Sequence, residues 1–210
     1  MTGPRPIGRD WMSADEAGLE HRILKPRMAT PEALAGYGTL LAVPDAEKGR
    51  DSGFYAEAVR ISEPAQFVSE DDLCLALATL NPRPMEVRWM EYHNKHTQTF
   101  IPLDGKPFVM VLGRPTCRRS DGSWDAAASK APELEAVEAF SFDGSSGVCL
   151  NIGTWHEFPF PLKEATNIIV VMSEETKRDL KNLVDGEAHG GDLEKLDLQK
   201  RFDVVFEVEA

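Results

Sequence analysis

The sequence predicts an all-β protein with a few short helices, and three features of its pattern support this fold class. Apolar runs of strand length occur at residues 73–80, 108–113 and 166–172, with turn-forming residues between them. Residues 137–142 alternate apolar and polar side chains, as half-buried strands do. Helical patterns do not alternate with the strands, which disfavours parallel β-α architectures. Short strands separated by turns are typical of a β-sandwich or β-barrel.

Most of the predicted elements are strands. In chain order they cover residues 39–43, 54–61, 73–80, 87–93, 108–113, 137–142, 166–172 and 202–208. A short helix is predicted to begin with Thr30 as N-cap and Pro31 at the first helical position, and to end at Gly36. A second helix is predicted to follow Ser173, where an N-cap residue precedes a charged, helix-forming segment.

The pattern divides the chain into three parts. Residues 1–21 form a polar N-terminal arm that we expect to be ordered only where it docks on another surface. Residues 22–172 form the β-domain, and residues 173–210 form a C-terminal extension of a helix and a strand. The last strand needs a sheet edge to pair with, which its own barrel or a second subunit would supply.

Charge and composition limit the possible partners. The formal net charge of −12 disfavours nucleic acid and anionic membranes, because binding phosphates requires clusters of Lys and Arg. A small anionic substrate would therefore need a locally basic pocket.

The cysteines and the hydropathy pattern indicate a cytoplasmic location. Cys74, Cys117 and Cys149 are widely spaced and include no Cys-x-x-Cys pair, so we expect reduced thiols and no structural zinc site. The N-terminus has no apolar signal-peptide core, and no apolar run reaches the length of a membrane span.

Two segments concentrate the residues that could carry chemistry. The first has the spacing Glu91-x-His93-x4-Gln98-x6-Gly105, and the second contains Gly153-x-x-His156. Alternation along a strand sends residues 91 and 93 to the same face. Both side chains could therefore face the interior of a barrel.

These segments resemble the two motifs of cupins, whose ligands lie on antiparallel strands and point into a β-barrel. Glu91 stands where the first His of the first motif usually is, and Gln98 stands where its Glu is. The resemblance implies a double-stranded β-helix, with His156 supplied by the second motif.

The flanking residues make the resemblance more specific. Thr97-Gln98-x-Phe100-Ile101-Pro102 and Trp155-His156, with the segment at 31–40, are similar to the ureidoglycolate lyase family. This likeness covers roughly residues 22–172. A His of the family lies near the position of Asn151, its acidic and basic residues after the last core strand are not evident here, and the tail beyond residue 173 has no family counterpart.

Four residues are the candidate metal ligands: Glu91, His93, Gln98 and His156. Their two imidazole nitrogens and two oxygens suit a divalent Mn, Fe, Ni or Zn ion and do not choose among them. The alternative is a hydrogen-bonded network in the mouth of a barrel. Glu91, His93 and His156 are also the candidate catalytic residues.

The remaining candidates concern the substrate. Arg88 or Lys106 could pair with a substrate carboxylate, and Arg suits bidentate capture of such a group. The other possible substrate contacts are His96, Trp155 and Tyr37, although core packing or a turn would explain the two aromatic residues without chemistry.

The family resemblance implies cleavage of ureidoglycolate to glyoxylate and urea. It also implies a homodimer, which the unpaired last strand suggests as well.

Two other functions remain open. Glu91, His93 and His156 could form the two-His, one-carboxylate face of a non-haem iron oxygenase, or the chain could be a non-catalytic cupin that binds a small acid. Oxygen consumption with Fe(II) would indicate the first, and ligand-induced thermal stabilisation without product would indicate the second.

Overall fold

The fold is all-β, as predicted, and is dominated by two sheets. The computed structural model describes residues 18–42, 50–51, 55, 58–117 and 130–209. Its strands are β1 (Glu20–Leu24), β2 (Arg27–Met28), β3 (Gly38–Leu41), β4 (Arg50–Asp51), β5 (Arg60–Ile61), β6 (Leu73–Leu80), β7 (Glu86–Val87), β8 (Trp89–His93), β9 (Gln98–Pro102), β10 (Phe108–Gly113), β11 (Glu138–Phe142), β12 (Gly147–Leu150), β13 (Trp155–His156), β14 (Phe160–Pro161), β15 (Thr166–Ser173), β16 (Leu193–Asp197) and β17 (Val204–Val208). The helices are α1 (Glu174–Lys181) and α2 (Leu198–Phe202), and a 3-10 turn covers Leu134–Ala136.

The seven-stranded sheet has the order β16-β8-β13-β10-β11-β2, with β14 also paired to β10. The five-stranded sheet has the order β3-β12-β9-β15-β6. Both sheets contribute to one buried apolar cluster, which includes Phe108 and Phe140 from the first and Phe100 and Val170 from the second. The two sheets therefore pack face to face in a cupin-like arrangement, with an interior between them.

A second apolar core covers the other face of the seven-stranded sheet. Met90 and Tyr92 of β8 lie in this core together with Trp155, Phe206 and other buried residues. Because side chains alternate across a strand, the intervening Glu91 and the following His93 face the interior instead. Alternation on β8 thus separates packing residues from polar ones.

The C-terminal segment is built into these layers. β16 pairs with β8 along its whole length, although no strand was predicted there. β17 pairs in parallel with β1 and in antiparallel with β7, so the last strand finds its edge within its own chain. The helix predicted after Ser173 is α1, whose N-cap Ser173 accepts a hydrogen bond from the backbone N–H of Thr176.

Several predicted bounds agree with the structure and others differ. The strands at 73–80 and 108–113 form as predicted, while the one at 87–93 is divided into β7 and β8. The segment after Thr30 is a series of turns, although Thr30 Oγ1 accepts from the Ala33 N–H at 3.1 Å as a cap would. Gly36 has a φ of 91°, which ends this segment before a regular helix can extend.

Several predictions include residues outside the described ranges, among them residue 43 of the strand predicted at 39–43. The strand predicted at 54–61 is described only at residues 55 and 58–61, where β5 occupies the end. Residues 1–17 of the predicted arm are likewise outside the described range, and β1 begins at Glu20. Among the described helices, none has the length and apolar character needed to cross a bilayer.

Candidate functional site

Strand pairing places three polar side chains in one row. In the register of the seven-stranded sheet, Glu91 of β8 is opposite Lys195 of β16 on one side and His156 of β13 on the other. Directly opposite residues of antiparallel strands are close enough for their side chains to interact. A carboxylate therefore lies between an ammonium and an imidazole.

Glu91 is a buried, ionised carboxylate. Its Oε2 accepts a hydrogen bond from Lys195 Nζ at 2.6 Å, and its Oε1 lies 3.8 Å from His156 Nε2. Burial alone would raise the pKa of Glu91, but the nearby positive charge of Lys195 lowers it to about 2. Lys195 thus compensates for the desolvation of this carboxylate.

The two predicted histidine ligands are buried and favour the neutral form. Burial lowers the pKa of His156, and burial together with the neighbouring His156 and His96 lowers that of His93 to about 3. His156 Nδ1 donates to the Thr154 carbonyl at 2.9 Å, and His93 Nδ1 lies 3.1 Å from Thr176 Oγ1. These contacts at Nδ1 leave a lone pair on each Nε2.

Several acceptor atoms in this region have no hydrogen-bond partner within the described residues. They are Nε2 of His93, Nε2 of His96, Nε2 of His156 and Oε1 of Gln98, all of them buried. Buried polar atoms normally have a partner, so such orphans indicate that a ligand, an ion or water completes the site. We refer to Glu91, His93, Gln98 and His156 as the ligand cluster.

The donor set of the ligand cluster fits a divalent metal. Ligand atoms of Glu91, His93 and His156 lie within 4.8 Å of one another. Gln98 is close to Glu91 and His93 in the sequence, and its side chain is buried. Imidazole and carboxylate donors are those that Mn, Fe, Ni and Zn accept. The orphaned Nε2 atoms are what such an ion would require.

A second group of polar residues lies behind His93. We call it the support cluster; it consists of His96, Ser173, Thr176 and Asp192. Asp192 accepts hydrogen bonds from His96 Nδ1 at 2.7 Å, from Thr176 Oγ1 at 3.0 Å and from Ser173 Oγ. Burial opposes ionisation of Asp192, but the bonds from His96 and Ser173 outweigh it, and the pKa is lowered.

The two clusters meet at His93. Its ring centroid lies 5.3 Å from that of His156 and 4.4 Å from that of His96. Because Thr176 Oγ1 donates its hydrogen to Asp192, its lone pair can accept a hydrogen bond from His93 Nδ1–H. Asp192 thereby holds the orientation of His93 through Thr176, in the way that outer carboxylates orient metal-binding histidines.

Within the described part of the chain, the two predicted cationic substrate contacts pair with residues outside the ligand cluster. Arg88 pairs with Asp197, with Nη2 and Oδ2 2.6 Å apart. Lys106 donates to the Ala165 carbonyl at 2.9 Å and faces Glu164 at 3.3 Å.

The two aromatic candidates have packing roles that the geometry explains. Trp155 lies in the second core, edge-on to Tyr92, and its Nε1 donates to Thr116 Oγ1 at 2.9 Å. Tyr37 packs in the first core, and its hydroxyl donates to Glu138.

Sequence reasoning missed Lys195, Asp192 and Glu157. Glu157 follows His156; burial raises its pKa to about 7, although Arg83 lies 3.0 Å away. Its position beside a motif residue was a usable signal. Lys195 and Asp192 carried none, because Lys195 reaches the site through the pairing of β16 with β8, and Asp192 directly precedes that strand.

Comparisons with known proteins agree with the geometry. Residues 21–191 match the family model described as ureidoglycolate lyase, so the likeness extends past residue 172, where we expected it to end, into the C-terminal extension. Among the relatives named ureidoglycolate lyase, that of Pseudomonas savastanoi pv. phaseolicola is 26% identical over 145 residues, covering 68% of this chain and 78% of the relative. Those of Azotobacter vinelandii and Pseudomonas putida are 24% and 28% identical, and each alignment covers 71% of this chain and 84% of the relative. The chain therefore belongs to the ureidoglycolate lyase family.

Proposed function

We propose that this chain cleaves the C–N bond of ureidoglycolate, releasing glyoxylate and urea. The observation that carries the proposal is the buried convergence of Glu91, His93 and His156, whose ligand atoms lie within 4.8 Å of one another. Membership of the ureidoglycolate lyase family supports this substrate above other small acids.

The reaction is an elimination in which one proton moves from the hydroxyl group to the leaving nitrogen. The α-hydroxyl loses its proton, the C–O bond becomes a carbonyl, the C–N bond breaks, and the departing urea nitrogen gains a proton. Glu91 accepts the hydroxyl proton in this proposal, because it is ionised and lies among the buried imidazoles. The protonated carboxyl then returns the proton to the leaving nitrogen.

The neutral imidazoles of His93 and His156 orient the reacting group through their free Nε2 atoms. In the proposed site His93, Gln98 and His156 would hold a divalent metal, which leaves Oε1 of Glu91 to accept the hydroxyl proton while Oε2 stays bonded to Lys195. When bound, such an ion supplies a Lewis acid that makes the hydroxyl more acidic. Burial excludes water and strengthens the interactions of Glu91 with its partners.

The test is release of urea and glyoxylate from ureidoglycolate under anaerobic conditions. We expect the wild-type protein to release both in equal amounts and His156→Ala to release neither while keeping its melting temperature within a few degrees. His21→Ala, which changes a half-exposed histidine paired with Glu207, is the matched control and should retain activity. Unchanged turnover in His156→Ala would remove that residue from the site.

One observation favours a second candidate. The same three residues provide two histidines and one carboxylate, which is the ligand set of non-haem iron oxygenases. Oxygen uptake with added Fe(II), and no product without oxygen, would favour the oxygenase over the lyase.

We also propose that the chain works as a homodimer in the cytoplasm. The edge strand β6 exposes Leu75 and Leu77, at 67% and 73%, and an exposed apolar edge is suited to covering by a partner. Cys74, Cys117 and Cys149 form no disulfide with one another, which suits a reducing compartment. Light scattering should give a dimer mass, and Leu75→Glu with Leu77→Glu should give a monomer; a monomeric wild type would contradict the proposal.

A further inference from the structure

Lys195 is a largely buried cation in contact with the ligand cluster. Its side chain is 19% exposed, and its ammonium donates to Glu91 Oε2 at 2.6 Å. It comes from β16, which lies beyond residues 21–191, the part of the chain that matches the family model. The family match therefore says nothing about this side chain.

The ammonium of Lys195 has N–H groups available for further hydrogen bonds. An ammonium carries three N–H groups, and the hydrogen bonds of the described residues show Lys195 donating to Glu91. The partial exposure of the side chain leaves room for a second acceptor. A buried cation attracts an anion more strongly than an exposed one, because the surrounding dielectric is lower.

The predicted cationic contacts are engaged elsewhere. Arg88 is paired with Asp197, and Lys106 with Glu164 and the Ala165 carbonyl. Arg83 is also committed, since it donates to Glu157 and to the carbonyls of Phe158 and Pro159. The formal net charge of the chain is −12, so binding of an anionic substrate depends on a local cation.

We propose that the ammonium of Lys195 binds the carboxylate of the substrate beside Glu91. The identity of the substrate as an α-hydroxy carboxylate rests on the proposed function, whereas binding of a small carboxylate by Lys195 does not. Strand β16 then belongs to the active site and selects acids over their neutral amides.

The experiment measures binding without turnover. Glycolate, which carries a hydroxyl beside a carboxylate, and glycolamide, its neutral amide, are titrated calorimetrically into the wild type and into Lys195→Met and Lys195→Arg. We expect Lys195→Met to weaken glycolate binding about 10- to 100-fold, the usual cost of losing a hydrogen bond to a charged group. Glycolamide binding should change less than about two-fold, and Lys195→Arg should retain part of the glycolate affinity.

A control variant and a second pair of variants separate loss of binding from loss of folding. Lys200→Met removes an exposed lysine of the same segment, which is 3.5 Å from Asp185, and should bind glycolate as the wild type does. Should Lys195→Met fail to fold because Glu91 loses its partner, Glu91→Gln is compared with the double variant Glu91→Gln/Lys195→Met. Glycolate binding should then fall by a similar factor between these two.

The outcomes separate the two proposals. Equal losses for glycolate and glycolamide, unchanged glycolate binding in Lys195→Met, or no glycolate binding by the wild type would each overturn the role of Lys195. Absence of urea release by a wild type that binds glycolate through Lys195 would instead overturn the proposed function. In a turnover assay, Lys195→Met should raise KM for ureidoglycolate by a larger factor than it lowers kcat.

Discussion

The ligand cluster and the support cluster are both buried and contain similar residues, yet their hydrogen bonding differs. In the support cluster, Asp192 accepts bonds from His96, Thr176 and Ser173. In the ligand cluster, Nε2 of His93, Nε2 of His156 and Oε1 of Gln98 have no partner among the described residues, whereas in the support cluster this is true of Nε2 of His96 alone. A mostly satisfied buried network rigidifies its surroundings, whereas several converging unsatisfied acceptors require a ligand. The difference indicates that one cluster binds and the other holds it in place.

The comparison predicts its largest effect for Glu91→Gln. Turnover of ureidoglycolate should fall by about 10² to 10⁴, the usual contribution of a general base. The melting temperature should fall as well, because the Gln oxygen can still accept from Lys195 but no longer balances its buried charge. Steady-state urea release and thermal melts check both parts; a large loss of stability with activity intact would reverse the roles assigned to the clusters.

Asp192→Ala should show the opposite pattern. The free energy of unfolding should fall by about 3 to 5 kcal/mol, because His96, Thr176 and Ser173 lose a common buried acceptor. Denaturant titration measures this loss. Asp143→Ala, which removes an exposed carboxylate bonded to Ser145, is the control and should cost under about 1 kcal/mol. Equal losses in the two variants would contradict a supporting role for Asp192.

Acid should destabilise the protein through the ligand cluster in two steps. The pKa of His93 falls from 6.5 to about 3 on folding, so its contribution to stability is lost as the pH falls from about 6.5 towards 3. The pKa of Glu91 falls from 4.5 to about 2, so its contribution is lost between about pH 4.5 and 2.

We therefore expect His93 to account for a loss of about 1 to 2 kcal/mol in unfolding free energy between pH 6.5 and 5. Urea titrations at several pH values measure it, and His93→Phe should remove this part of the pH dependence. A His93→Phe protein that loses stability over this range as steeply as the wild type would contradict the assignment.

Thr176→Val should cost less stability than Asp192→Ala. This change keeps the shape of the side chain but removes the hydroxyl between His93 and Asp192. The unfolding free energy should fall by about 1 to 3 kcal/mol, since buried polar atoms lose a partner. Thr79→Val, at an exposed hydroxyl bonded to Asn167, should cost much less. A chemical denaturation series that ranks the two variants in reverse would break the proposed link between the clusters.

The sequence predicted those parts of the fold that local pattern determines. The apolar run at 73–80 became β6 with the predicted bounds, and the N-cap Ser173 began α1. Glu91, His93 and His156 were brought together because their motifs lie on neighbouring strands. Alternation also explains why Trp155 faces the second core when the next residue, His156, faces the interior.

The remaining parts of the site depend on contacts that are distant in sequence. The segment Leu193–Asp197 has two adjacent charged residues and no clear apolar alternation, so nothing local marks it as a strand. It becomes β16 because the edge of β8 is available, and that pairing places Lys195 opposite Glu91. The helix predicted after Thr30 failed for the opposite reason, since a correct cap was followed by only a short segment before Gly36.

The central claim is that Glu91 and His156 act together in one buried site, and a double-mutant cycle tests it most directly. We would measure kcat/KM for ureidoglycolate cleavage in the wild type, in Glu91→Gln, in the milder variant His156→Gln and in the double variant. Residues that act as a unit are strongly non-additive, so the double variant should be about as impaired as the more impaired single variant. Losses that multiply, as they do for independent sites, would contradict the claim.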